Sequence, residues 1–258
     1  MKPMTFAPRL RQAGFTLIEM MVALTISLIV MLGFSVIFVG VKQAFNSQDK
    51  LAQLQDNERL ALTLLTAAVQ QAGYFPNPTT LDSTQIVNTT STTYGSMAAG
   101  QAVTGMSASG GLESLSTAFA ASANDGLMTC LGHTITAADI AAAPSAANGS
   151  VGVRNIFYVD ASSNTLRCVA LINGGASTSY GGSGDATTGL PLITNVTSMS
   201  VAYGVDTGTG SVSGYLPAAS MTSANWSQVK AVRVTLNFIN PNNSASTIAW
   251  TQTMNLMK

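Results

Sequence analysis

Residues 20 to 41 form a run of 22 without a charged side chain, rich in Met, Val, Leu, Ile and Phe. As a helix it rises about 33 Å, enough to cross a hydrocarbon core of roughly 30 Å. A secretory signal peptide is the alternative reading. Its apolar core spans only about 7–15 residues and ends at a small-residue cleavage site. Here Lys42 and the polar Asn46-Ser47-Gln48-Asp49 come next with no such site. The run therefore reads as a retained membrane helix. Residues 1–14 ahead of it carry Lys2, Arg9 and Arg11 and no acid, which holds the N-terminal tip in the cytoplasm and exports the remainder of the chain.

The rest of the composition narrows the chemistry. Eleven basic and eleven acidic side chains give zero net charge, and only 9% of residues are charged. Beyond Leu60, five basic residues stand against seven acidic ones. Strong binding of nucleic acid by this chain alone is not expected of that balance. One histidine and two cysteines exclude a multi-ligand His/Cys zinc site within the chain. No G-x-S-x-G elbow, H-E-x-x-H helix or phosphate-binding loop is present, so no enzyme, cofactor or metal is expected.

Glu19 does not fit a plain anchor, because a carboxylate near a membrane interior costs several kcal/mol unless paired or protonated. Placement at a helix start, where the dipole favours negative charge, is the simpler alternative. The order of basic leader, Gly14, Phe15-Thr16-Leu17-Ile18-Glu19 and about twenty apolar residues resembles the N-terminal signal of type IV pilins and pseudopilins. That resemblance implies cleavage between Gly14 and Phe15 by a prepilin peptidase, N-methylation of Phe15, and an assembly role for Glu19. The carboxylate would neutralise the amine of a neighbouring subunit, or its own amine one turn away. Glycine before the scissile bond lets the protease approach the backbone without a Cβ in the way.

A helical period continues past Lys42 through Leu51, Leu54, Ala61, Leu65, Ala68 and Ala72, with Glu58 a polar defect in the stripe. Between Leu60 and Val69 apolar residues fall on nearly all sides, which predicts a helix buried by packing. Gly73 is placed as the residue just past the helix end, and Pro76 stops further continuation. A dimeric coiled coil is the competing use of such a helix, but strict heptads do not persist. Residues 79–125 are rich in Ser, Thr, Ala and Gly and read as a long connection. Strand patterns come after it at Asn155–Asp160, Thr165–Asn173, Val196–Val205, Val229–Ile239 and Thr247–Met257, the first two joined as a hairpin across Ala161-Ser162-Ser163-Asn164.

The expected fold is α+β. A long N-terminal helix, membrane half plus amphipathic half, packs on an antiparallel sheet of about four or five strands. The division is a removed leader at 1–14, a helix at 15–73 with 20–41 in the membrane, and a periplasmic head at 74–258 with long Ser/Thr/Gly-rich loops.

Within the head, Gln70-Gln71-Ala72-Gly73-Tyr74, Leu127-Met128-Thr129-Cys130, Asn155-Ile156-Phe157-Tyr158-Val159, Leu166-Arg167-Cys168, Tyr203-Gly204-Val205-Asp206-Thr207 and Trp226 through Val234 resemble landmarks of PilW-type minor pilins. The resemblance implies a non-enzymatic subunit of a tip or priming complex that initiates type IV pilus assembly, serving twitching motility, adhesion or DNA uptake. Its implied partners are other minor pilins, the major pilin, the prepilin peptidase and the inner-membrane assembly machinery. It implies residence in the bacterial inner membrane, then in the pilus near its tip. The extreme tip subunit of related systems commonly lacks that glutamate, so with Glu19 retained the resemblance implies a place just below the tip. A minor pseudopilin of type II secretion is the nearest rival, and an adhesin or DNA-uptake module the second.

A head exported to the periplasm makes a Cys130–Cys168 disulfide the expectation, with two separate buried thiols the alternative. His133, just beyond Cys130, reads as a loop residue rather than half of a Cys-His nucleophile pair. Asp206 through Ser211 has too few carboxylates for calcium and reads as a glycine-rich turn. Tyr180, Tyr215, Lys230 and Arg233 are read as surface residues.

Overall fold

The computed structural model of the chain describes residues 14–77, 94, 96–107, 113–142, 149–172, 179–180, 189–208 and 210–257. It divides into two compact units, residues 1–50 and 51–258. Helix α1 (Leu17–Gln71, 55 residues) contributes to both.

Among the described residues of the first unit nothing covers the helix. Phe15, Leu17, Ile29, Met31, Leu32 and Phe34 are all more than two-thirds exposed. Hydroxyls in this stretch fold back on the helix itself: Thr25 Oγ1 donates to Val22 O, Ser27 Oγ to Leu24 O and Ser35 Oγ to Met31 O. These donors are thus satisfied within the helix, the condition a segment must meet in lipid.

The second unit is built from the end of α1 and two antiparallel sheets. The first sheet has the order β1 (Val103–Met106), β2 (Ser114–Ser122), β3 (Ser150–Asp160), β4 (Thr165–Ile172) and β5 (Ser179–Tyr180), with β6 (Leu190–Thr194) also pairing with β4. The second runs β10 (Asn243–Asn255), β9 (Val229–Asn240), β7 (Val196–Val205), β8 (Gly214–Pro217). Two short helices, α2 (Ala137–Ala142) and α3 (Ser223–Ser227), lie in the connections.

The α+β class and the long helix on antiparallel sheets are as the sequence predicts. The sheet content is larger than four or five strands, and two strands lie inside the segment read as a connection. The reason is visible in β2, whose residues Ser114-Leu115-Ser116-Thr117-Ala118-Phe119-Ala120-Ala121 are all buried. Both of its faces are covered, so no polar-apolar alternation marks it, and its Ser and Ala carry little strand propensity.

One core joins the elements. Leu54, Ala61, Leu65, Ala68 and Val69 of α1, and Ala72 just past its end, pack with Leu115, Phe157, Val159 and Leu166 of the first sheet, and with Met199, Val201, Tyr203, Val232, Val234, Leu236 and Phe238 of the second. Contrary to the expectation of all-round burial, only one face of α1 enters this core: Leu60 is 45% exposed. The helix lies on the sheets rather than inside them. Gly73 ends it with φ +86°, a conformation that costs glycine nothing. The chain then hydrogen-bonds alongside β2, Gly73 N to Ala118 O and Ala120 N to Tyr74 O, both at 2.8 Å.

Where the two sheets meet, Tyr203 is fully buried and donates to Thr104 O at 3.3 Å, with Trp226 edge-on to its ring. A Cβ at Gly105 would overlap Tyr203 Oη and stand 2.6 Å from Ser114 O. Gly105→Ala is therefore expected to cost about 2–3 kcal/mol by overpacking. Denaturant unfolding of the single variant and of the Gly105→Ala, Tyr203→Phe pair checks this. The second change removes the overlapped hydroxyl and recovers part of the loss.

Candidate functional site

The N-terminal segment carries the strongest site pattern. Gly14, Phe15 and Thr16 precede α1, and no heavy atom stands within 4 Å of a Cβ built on Gly14. Phe15 is 86% exposed. Among the described residues, nothing shields the Gly14–Phe15 bond from a protease.

Thr16 and Glu19 form a reciprocal cap. Thr16 N and Thr16 Oγ1 both donate to Glu19 Oε2 at 3.0 Å, and Glu19 N donates to Thr16 Oγ1 at 3.4 Å. This is a capping box, satisfying two amides that a helix start leaves without partners. The geometry gives Glu19 a local use, yet its side chain remains exposed and Oε1 receives none of the three bonds. The leader residues Lys2, Arg9 and Arg11 lie outside the described residues.

In the head, Cys130 and Cys168 form a disulfide, with Cα atoms 6.5 Å apart and a sequence separation of 38. It ties the turn after β2 to β4, and Cys168 is fully buried. Asn155 Oδ1 accepts from Cys130 N at 3.0 Å, a second tether between the same turn and the sheet.

His133 has a structural partner. Its Nε2 lies 3.0 Å from Asp139 Oδ2, and that oxygen also accepts from Thr136 N and Oγ1 at the start of α2. It stands in a loop, as read from sequence, and the cap gives it a role that the spacing from Cys130 does not suggest. Asp206 Oδ1 accepts from Gly208 N at 2.9 Å and Gly210 N at 3.1 Å, the geometry of a glycine-rich turn. Among the described residues no cluster of three His, Cys, Asp or Glu side chains forms. Arg233 stacks 3.8 Å over the Tyr215 ring, bringing together two residues read separately as surface groups. Lys230 is an exposed residue of β9. Of the loop Gly174–Gly189, only the strand Ser179–Tyr180 and Gly189 are described.

Several polar anchors have no counterpart in the sequence reading. Glu113 Oε1 accepts from Val201 N at 2.7 Å, joining the start of β2 to β7, and burial pushes its carboxyl up despite that bond. Arg154 is fully buried in β3, where Nη2 donates to Tyr94 O and Ser116 Oγ at 2.9 Å. Burial lowers its guanidinium to about 10, so it remains charged at neutral pH. Neither residue stands in a local motif, because its partner lies 38 to 88 positions away.

Asp160 closes the β3–β4 hairpin. It accepts from Ser162 Oγ at 2.6 Å, Ser163 Oγ at 2.8 Å and Ser162 N at 3.0 Å, and pairs with Arg167 Nε at 3.1 Å. The serine bonds, then the Arg167 charge, hold its carboxyl down at about 2, against an ordinary 3.8. The stability this adds is complete above the unfolded value and is lost as pH falls through about 2. The gap between wild type and Asp160→Ala in urea midpoint is expected to be constant near neutrality and to narrow below pH 3.8.

Residues 156–257 match the family model described as type IV pilus-assembly protein W, and residues 9–35 match the prokaryotic N-terminal methylation motif. No curated protein matches the chain. Among solved structures, a type IV-like pilin from Thermus thermophilus is similar at 13% identity and a TM-score of 0.41, covering 79% of this chain and 95% of that one.

Proposed function

We propose, from the premise that the chain is a type IV pilin-like protein of the PilW type, anchored in a membrane by α1 before it joins a pilus, that it is a minor subunit of the complex that primes pilus assembly. The families matched are structural rather than enzymatic, and they imply a setting of other pilins and a prepilin peptidase. In this reading the peptidase cuts between Gly14 and Phe15, the new amine on Phe15 is methylated, and only the leader is lost. The chain acts by packing and not by turnover.

The observation that carries the proposal is a long apolar helix surface that no described residue covers, next to a carboxylate in a specific position. From Phe15 to Val41 the large apolar side chains are exposed. Lipid covers them before assembly, and the helices of other pilins cover them afterwards. Leaving the bilayer then requires Glu19 to meet a cation, which the Phe15 amine of a neighbouring subunit supplies. Glu19 also supports a place just below the tip, where a neighbour exists to be met.

Deleting the gene and counting surface pili tests the role. The expected result is a loss of nearly all pili, restored by the wild-type chain, with the protein far scarcer in sheared pili than the major subunit. Normal pilus numbers together with a defect in protein secretion would instead place the chain in a type II secretion system.

A further inference from the structure

The second sheet ends on β10, and among the described residues its outer edge is open. Leu256 N donates to Lys230 O at 2.8 Å and continues the β9–β10 register, which fixes the phase of the ladder. Trp250, Gln252 and Met254 direct their backbone groups toward β9, while Ala249, Thr251, Thr253 and Asn255 direct theirs away from it. Gln252 Nε2 donates to one of the outward carbonyls, Thr253 O, at 3.1 Å. Among the described residues no strand pairs with this edge.

The other sheet margins are treated differently. β1 has four residues, β5 has two, β6 has five and includes Pro191, and β8 has four and ends at Pro217. Short strands and prolines are the usual protection against unwanted strand pairing. β10 has 13 residues, Asn-Ser-Ala-Ser-Thr-Ile-Ala-Trp-Thr-Gln-Thr-Met-Asn, with no charge and no proline. A fold that blunts its other edges leaves one long edge in the form that accepts a strand.

We propose that β10 is a docking edge, where an extended, uncharged strand from the head of a different pilin-type subunit adds to the four-stranded sheet. The kind of partner rests on the pilus-assembly reading above. The binding chemistry rests on the edge alone. A row of alternating amides and carbonyls is satisfied only by another extended backbone. β10 carries no charge of its own, and Arg233 of the adjacent β9 is engaged by Thr253 and the Tyr215 ring, so the edge is read through its backbone rather than through charge. On the solvent face, the hydroxyl pair Thr235–Thr251 at 2.9 Å and the Arg233 Nε to Thr253 Oγ1 bond at 3.4 Å form a polar ladder that a Thr- or Ser-bearing strand would extend. A second copy is the wrong occupant. Antiparallel β10–β10 pairing is two-fold and closes on itself, whereas subunits of a membrane-fed filament share one direction.

The test is hydrogen exchange on the full-length chain in mild detergent, alone and in complex with the pilin subunits co-expressed from its own cells. The outward amides of Ala249, Thr251, Thr253 and Asn255 are expected to exchange at least about ten times more slowly in the complex. Those of Trp250, Gln252 and Met254, already bonded to β9, change little. Ala249→Pro removes an amide that β9 does not use, and is expected to abolish co-purification with the melting temperature near wild type. The wild-type exchange comparison stands even if that variant fails to fold. Outward amides that remain fast in the complex overturn the proposal, as does protection arising from self-pairing of the chain alone. A chain neither cut after Gly14 nor joined by pilins overturns both this inference and the pilus reading. A cut, pilin-bound chain with a fast-exchanging β10 overturns this inference only.

Discussion

Glu19→Gln is expected to reduce incorporation of the chain into pili roughly tenfold or more, while membrane insertion and the fold of the head stay unchanged. The substitution separates the two uses of Glu19. In the capping box, Oε2 accepts from Thr16 N and Thr16 Oγ1, and glutamine supplies an equivalent acceptor. If the helix cap were the whole purpose, Gln would serve nearly as well as Glu. If the carboxylate must meet a neighbour's amine in an apolar environment, a neutral amide leaves that amine without its counter-charge. Quantifying the chain in sheared pili and in membranes decides between these. Thr16→Val is the companion variant. It removes the hydroxyl partner but keeps the charge, and it is expected to cost only a fraction of what Gln costs.

Removing the disulfide as Cys130→Ala, Cys168→Ala is expected to lower the head's stability by about 4 kcal/mol in the loop-entropy account for a separation of 38 residues. That corresponds to a fall of roughly 10 °C in melting temperature for a domain of this size. Alanine is the better replacement at Cys168, because a serine hydroxyl at a fully buried site would add a separate desolvation cost. The bond from Cys130 N to Asn155 Oδ1 keeps the turn on β3, the neighbour of β4, after the sulfurs are gone, so the folded form stays recognisably native. Trp226 and Trp250, both packed against the main core, report the transition by fluorescence. An unchanged midpoint in the oxidised wild type and the double variant would mean the crosslink restrains nothing in the unfolded chain.

The parts of this fold legible in sequence are those with local periodicity. Val232, Val234, Leu236 and Phe238 alternate with exposed or half-buried neighbours because one face of β9 meets the core and the other meets water. The same asymmetry marks β7 and the Leu54–Val69 stripe of α1. Gly73 could be placed at a helix end because its left-handed backbone suits glycine. β1, Val-Thr-Gly-Met, is too short to show a period, and β2 escaped for the opposite reason. A strand of serines and alanines covered on both faces has no pattern to reveal it. Long-range polar anchors such as Glu113 on Val201 N and Arg154 on Tyr94 O were equally hidden, since only the folded topology brings the partners together.

The candidate site divides along the same line. Gly14, Phe15 and Glu19 lie in one short register with the apolar run and could be read directly. The Thr16–Glu19 cap could have been read as well, because Thr-x-x-Glu ahead of an apolar helix is a known start signal. The pairing of Arg233 with Tyr215 joins β9 to β8, which are not even neighbours in their sheet, and no spacing rule predicts it. The open edge of β10 is a property of strand order, which becomes visible only once β9 is known to have β7 on its other side.

The central claim is tested most directly by the intact mass and N-terminal sequence of the membrane-expressed chain, with and without a prepilin peptidase. The account predicts a new N-methylated terminus at Phe15 that appears only with the peptidase, and loss of residues 1–14 alone. A chain left uncut by a peptidase that processes a control pilin would contradict it. Residues 20–41 would then be an ordinary membrane anchor.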